Sequence, residues 1–173
     1  MTMETYFHCA SLPLGPGSVI CPGNWGRMLR LYRTTEIGTF AAAFRERVLE
    51  DIRQADFPSK PSGLASCFVL FSEDDAKKFR DQFQRTSIIY EVEPVSEPST
   101  THEGDYSLIG APLGAVYFDP YKQAARDYWS TLATKNRELL LPVPIRVLRC
   151  VDDSAPDLPG LRDKTNGDVH GDS

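Results

Sequence analysis

The sequence has no dense run of Lys and Arg, no apolar run near the ~20 residues of a membrane span, and no Cys-x-x-Cys pair. Each absence narrows what the chain can do. With a net charge of -5, general binding to a phosphate backbone is disfavoured, although a local basic patch stays open. Arg27, Arg30 and Arg33 are the one notable basic group before the first long predicted helix, and they read as a solvated face. No spanning segment means that no membrane partner is expected. Residues 1–6 carry no basic segment leading into an apolar stretch, so no signal peptide is predicted and the cytoplasm is the expected compartment. The 4 Cys, at positions 9, 21, 67 and 150, are too few and too scattered for a disulfide scaffold. They read as small buried hydrophobes, and without close ligand spacing no metal is expected. A P-loop, a dinucleotide-binding glycine fingerprint and a Gly-x-Ser-x-Gly elbow are also missing. With 3 His in the chain, any histidine chemistry must use His8, His102 or His170, and His170 lies in the polar C-terminal stretch.

What is present suits one domain. The 41% hydrophobic and 25% charged residues supply a core within a 173-residue chain. Residues 6–10 read as a short aromatic-rich strand, halted by two Pro and two Gly in 12–17. Residues 18–20 read as a second short strand, and 25–33 fit either a helix or a strand. Phe40, Phe44, Val48 and Ile52 recur four apart with Leu49 beside them, which predicts a helix over 39–55 with one apolar stripe. The apolar run 66–71 predicts a buried strand. Ser72, with Asp75 three residues on, predicts a helix cap, and Ala76, Phe79 and Phe83 that helix's inner face. Strands are predicted over 87–92, 115–118, 138–141 and 145–151, and a helix over 121–133. Residues 97–114 form a long loop of the kind that carries function. The expected domain is 1–151, and the polar stretch 152–173 is predicted to be disordered. Strands and helices do not alternate regularly, so the expected class is α+β.

Three positions stand out chemically. His8 sits inside the first strand, between Phe7 and Cys9, where it either serves a site or holds one backbone carbonyl in the core. Glu138 opens the apolar stretch 139–143, where desolvation would poise its carboxyl, unless it is a solvated junction residue. Asp105 and His102 lie in the long loop beside Glu103 and Tyr106, where a solvated acid is the plainer reading.

Together these pieces resemble the ADP-ribosyltransferase superfamily. Tyr6-Phe7-His8-Cys9-Ala10, followed by Leu14-Gly15-Pro16-Gly17-Ser18, is similar to the opening of the rifampin ADP-ribosyltransferases. Residues 68–76 and Tyr90-Glu91-Val92-Glu93-Pro94 are similar to that family's middle. Arg137-Glu138-Leu139-Leu140-Leu141-Pro142, running into Ile145-Arg146-Val147-Leu148, resembles the stretch that carries the catalytic Glu in many members. The chain also resembles a bacterial domain family that begins with Tyr-Phe-His and continues into Pro-Gly-Asn-Trp-Gly-Arg, matched at 22–27.

The resemblance implies a fold of two small packed, mainly antiparallel sheets forming a cleft, with helices inserted early and late. It implies NAD as co-substrate and transfer of ADP-ribose to an unidentified acceptor (a protein, a nucleic acid or a small molecule), or hydrolysis of NAD as in some toxins and defence proteins. His8 would hydrogen-bond a ribose hydroxyl, the Cys9 backbone would pair with the nicotinamide amide, and Glu138 would stabilise developing positive charge. The rifampin enzymes would place that acid at Asp105 instead. Two positions depart from the pattern. Cys9 stands where the family has Gly, and Phe68 stands where a Tyr stacks on nicotinamide; Phe can stack but cannot donate a hydrogen bond. Tyr32 is a further candidate for that stacking place. The departures keep a second expectation open, a catalytically inactive module that retains the fold for binding.

Overall fold

A computed structural model describes residues 4–109, 118–130 and 135–154. In chain order the elements are β1 (Tyr6–Ala10), β2 (Val19–Ile20), α1 (Asn24–Leu29), α2 (Ile37–Asp56), β3 (Cys67–Leu70), α3 (Glu73–Phe83), β4 (Ile88–Pro94), β5 (His102–Asp105), α4 (Asp119–Ser130), β6 (Arg137–Leu141) and β7 (Ile145–Asp152). The class is α+β. The strands form one antiparallel sheet of seven, in the order β2-β7-β4-β1-β3-β6-β5.

A short connection dictates the shape of that sheet. β6 and β7 are joined by Pro142, Val143 and Pro144 alone, yet β3, β1 and β4 lie between them. A flat sheet would hold β6 and β7 ~19 Å apart, four strand spacings. The four residue steps from Leu141 to Ile145 reach at most ~14 Å. The sheet therefore curls. Its concave core draws on strands alone: Tyr6, Ile20, Cys67, Val69, Tyr90, Val92, Leu139, Leu141, Ile145 and Val147. Leu14, Phe71 and Val143 from the connections pack against it.

The helices cover the convex side. α2 and α4 bury Leu49, Ile52, Ala125, Tyr128 and Trp129 against Leu140. α3 packs Ala76 and Phe79 against Cys9, Leu70 and Ile89. The α3 cap forms as the sequence predicts: the Asp75 amide donates to Ser72 Oγ at 3.1 Å, and that hydroxyl donates back to the Asp75 carboxylate at 2.7 Å.

The ladders are uneven. β1 pairs with β4 at five positions, and β3 with β6 at four. Between β1 and β3 the single paired position is Phe7 with Leu70. Two well-laddered halves thus meet at one seam.

The structure differs from the sequence reading in identifiable places: Cys21 and Cys150, expected to be buried, and Phe83, expected on the inner face of α3, are exposed. Residues 24–29 are a helix, because Gly26 lets α1 sit on the 3-10 turn Gly63–Ala65: a Cβ there would lie 2.3 Å from the Leu64 carbonyl oxygen. The long loop contains β5 and a 3-10 turn, Tyr106–Ile109. His102-Glu103-Gly104-Asp105 is too polar to announce a strand, and it pairs only because β6 offers an edge. α2 starts at Ile37, but its buried residues begin at Glu46, so Phe40 is exposed rather than part of a continuous inner stripe. Of the strand expected over 115–118, residues 115–117 lie outside the described residues, as do the helix end at 131–133, the tail from 155 onward and His170.

Gly104 is the tightest fit in the sheet. A Cβ there would lie 2.4 Å from the Tyr128 ring. Gly104→Ala is expected to destabilise the fold by about 1–3 kcal/mol through overpacking, read as a lower midpoint in urea unfolding.

Candidate functional site

The seam between β1 and β3 is where the sequence-predicted residues gather. His8 leaves β1 on the side of Tyr6, and its Nδ1 lies 2.7 Å from the Phe68 carbonyl oxygen. A carbonyl can only accept, so Nδ1 carries the proton and Nε2 keeps its lone pair. This side-chain bond takes a carbonyl on the β3 edge just past the last paired position. Burial pushes the His8 pKa down, against the opposing pull of the Phe68 bond. The imidazole is therefore neutral at physiological pH, an acceptor for a hydroxyl.

Cys9, the next residue, points the other way. Its Sγ donates to the Ala76 carbonyl of α3 at 3.7 Å, and burial pushes the thiol up to about 12. It is unreactive, and its side chain does not obstruct the His8 side of the sheet. The Phe68 ring also leaves on the convex side, among the α2–α4 core. Tyr32 sits after α1 with its ring edge-on to Trp25, centroids 6.1 Å apart, away from the seam strands in sequence and held by a different partner.

Glu138 is in the row Phe7–Leu70–Glu138–Gly104 across β1, β3, β6 and β5. Residues in one row share a face, and the next residue along each strand takes the opposite face. Glu138 thus faces the convex side and His8 the concave side. The carboxyl is 3% exposed and accepts the Tyr128 hydroxyl on Oε1 at 2.8 Å. Gly104, lacking a side chain, makes room for that Tyr128 ring. Burial raises the Glu138 pKa to about 7; the Tyr128 bond opposes the rise, and the Glu46 charge adds to it. A carboxyl balanced near neutrality can give or take a proton.

Asp105 is on the concave side with His8, by the same alternation. Its Oδ1 accepts the Ser107 amide at 2.9 Å and the Ser107 hydroxyl at 2.6 Å. Beside it, Glu103 holds Arg137 with two bonds of 2.6 and 2.9 Å, and the guanidinium stacks 4.1 Å from the Phe71 ring centre. The sequence reading missed this Glu103–Arg137 pair, since it depends on the register of β5 against β6. Nor does local sequence mark Tyr128 as the donor to Glu138.

His102 is buried on the convex side. Its Nε2 lies 3.1 Å from the Tyr128 carbonyl oxygen, and Lys60 Nζ lies 3.2 Å from its Nδ1 while also reaching the Trp129 carbonyl. Burial first, and the Lys60 charge second, push His102 down to about 4. It ties β5 to the end of α4 and is fully engaged. Among the described residues, no three His, Cys, Asp or Glu side chains converge as a metal site.

No curated protein matches the chain. A family model described as a protein of unknown function, DUF2441, matches residues 26–153. That span includes Tyr32, Phe68, Asp105 and Glu138 and begins after His8 and Cys9.

Glu138 and His102 pull stability in opposite directions with pH. The Glu138 pKa is raised on folding, so its contribution is full below its ordinary 4.5 and is lost as pH rises through about 7. The His102 pKa is lowered, so stability is lost as pH falls from 6.5 towards about 4. Glu138→Gln keeps an acceptor for Tyr128 and removes the charge. It is expected to be more stable than wild type at about pH 8 by on the order of 2–3 kcal/mol. The gain should shrink towards about pH 5, where the wild-type carboxyl is protonated; urea melts at the two pH values measure it.

Proposed function

The chain belongs to the DUF2441 family, and we propose that it is an NAD-dependent ADP-ribosyltransferase that binds NAD at the seam between the two halves of its sheet. The observation that carries this reading is the β1–β3 junction. The ladder there is reduced to Phe7 with Leu70, and the next contact is the His8 ring on the Phe68 carbonyl. Each of the three stretches that resemble the superfamily includes a strand of the adjoining run β4-β1-β3-β6. The curl of the sheet turns its two halves towards each other around a shared core, a two-layer arrangement in keeping with this reading.

On this reading neutral His8 accepts a ribose hydroxyl through Nε2 and orients the sugar. The bond from ribose C1 to the nicotinamide nitrogen breaks with its electron pair leaving on nicotinamide. An acidic side chain stabilises the positive charge that develops on the ribose. An acceptor nucleophile, or water, then attacks C1 and loses a proton. Glu138 has the perturbed carboxyl expected of such an acid, but it leaves the sheet on the face opposite His8, so it reaches a ribose held by His8 only if β6 turns that side chain through to the concave side. Asp105, on the concave side, is the other acid in this scheme.

A second reading is favoured by one specific observation. Glu138 leaves the sheet opposite His8 and lies under Tyr128. If that arrangement persists with ligand bound, the fold serves as a non-catalytic binding module.

Nicotinamide release from NAD, followed for wild type and for His8→Ala, Glu138→Gln and Asp105→Asn, separates these readings. Transferase chemistry predicts release by the wild type. It also predicts a fall of about 100-fold or more in His8→Ala and in whichever acid variant removes the charge-stabilising group. An NAD-induced rise in thermal midpoint without release supports the binding module. Neither release nor a thermal shift overturns both.

A further inference from the structure

We propose that α1, the turn after it and the first turns of α2 form a docking face for the surface of an anionic lipid bilayer. The proposal is independent of the NAD reading. Neither α1 nor the described part of α2 before Glu46 buries a single residue. Instead the segment holds Met28 50% exposed, Leu31 81%, Ile37 88% and Phe40 47%. Isolated exposed hydrophobics are ordinary, but four within thirteen residues concentrate exposed apolar surface in one segment of chain.

Charge is interleaved with these side chains. Arg27, Arg30 and Arg33 fall among them, and Glu36 is the one acidic residue from Asn24 to Phe44, in a chain whose net charge is -5. Arg30 and Arg33 make no ion pair among the described residues. Among the described residues, Arg27 donates to the Pro22 carbonyl and the Asn24 side chain, neither of them charged. The long aliphatic stems of the arginines can lie along an interface while their heads meet phosphate.

Shape and chemistry choose among anionic occupants. Side chains as exposed as Leu31 and Ile37 stand out of the surface rather than line a groove, and a fluid bilayer accepts such points without a preformed pocket. Single-stranded nucleic acid would need free aromatic faces on which bases stack, but Trp25 and Tyr32 are half-buried and set edge-on to each other. A two-fold contact with a second copy would bring both sets of three arginines into one interface. No described helix is long and apolar enough to cross a membrane, so the contact is peripheral: Leu31, Ile37, Met28 and Phe40 enter the headgroup region, and the arginines hold lipid phosphates.

Sedimentation of the full chain with vesicles tests this. Partition onto vesicles of equal parts phosphatidylcholine and phosphatidylglycerol is expected to exceed partition onto phosphatidylcholine alone by about tenfold or more, and to fall as salt is raised. Leu31→Ser with Ile37→Ser should lower it by about tenfold or more, and Arg30→Gln with Arg33→Gln should abolish the preference for the anionic vesicles. Circular dichroism and thermal midpoints unchanged from wild type confirm that these surface variants fold. Equal partition onto both vesicles, or partition untouched by the two serines, overturns the proposal. So does finding that the same face instead drives self-association in ultracentrifugation or binds a single-stranded oligonucleotide with no vesicle binding.

Discussion

Three residues between β6 and β7 constrain the whole molecule. Pro142, Val143 and Pro144 must carry the chain past three intervening strands, and they are long enough only if the sheet curls on itself. Curling gives the fold two unlike surfaces. The concave one is filled by strand side chains with Ile20, Cys67, Leu141 and Ile145 brought together. The convex one is left for the helices, and α2, α3 and α4 all pack there. Because side chains alternate along a strand, this division also sorts the polar residues. His8, Glu103, Asp105 and Arg137 fall on one side, and His102 and Glu138 on the other.

Where the two halves meet, one backbone pair and one imidazole replace a full ladder. A side chain that supplies a missing ladder bond couples local chemistry to the geometry of the seam. His8 cannot gain a proton on Nε2 without becoming a buried cation, and burial resists that. On the far side, Glu138 meets the opposite problem, since its charged form is the costly one. Tyr128 offsets part of that cost by donating to the carboxylate. Gly104 is the residue that lets the ring approach. Burial thus pushes the His8 pKa down and the Glu138 pKa up.

α2 shows how one helix can live in two environments. Its C-terminal half is anchored by Leu49 and Ile52 and by the Glu50–Arg53 pair, whose carboxylate also accepts the Ser62 hydroxyl. Its N-terminal half keeps the same apolar spacing but fully buries none of it; Phe44 packs on Phe118 and Tyr121, ring centroids 5.2 and 5.3 Å away. Phe40 and Phe44 stack on each other, centroids 6.2 Å apart, while Ile37 stands in solvent. Amphipathic spacing reports that a face is apolar, not what covers it.

Much of this was legible in the residues. Phe79 and Ala76 behind a Ser72 cap, the stripe of α2 beyond Phe44, the apolar runs at 66–71 and 138–141, and the α+β class all follow from local rules, because periodicity and capping act over a few residues. So did the choice of His8 and Glu138 as the polar residues with unusual surroundings. What the residues could not disclose is which strand lies beside which. The β5 strand, the Glu103–Arg137 pair, the Tyr128 cover over Glu138 and the opposed sides of His8 and Glu138 all depend on pairing between segments far apart in the chain. Pairing is set by how the whole sheet can close over its core within the reach of its connections, and no window of local sequence contains that condition.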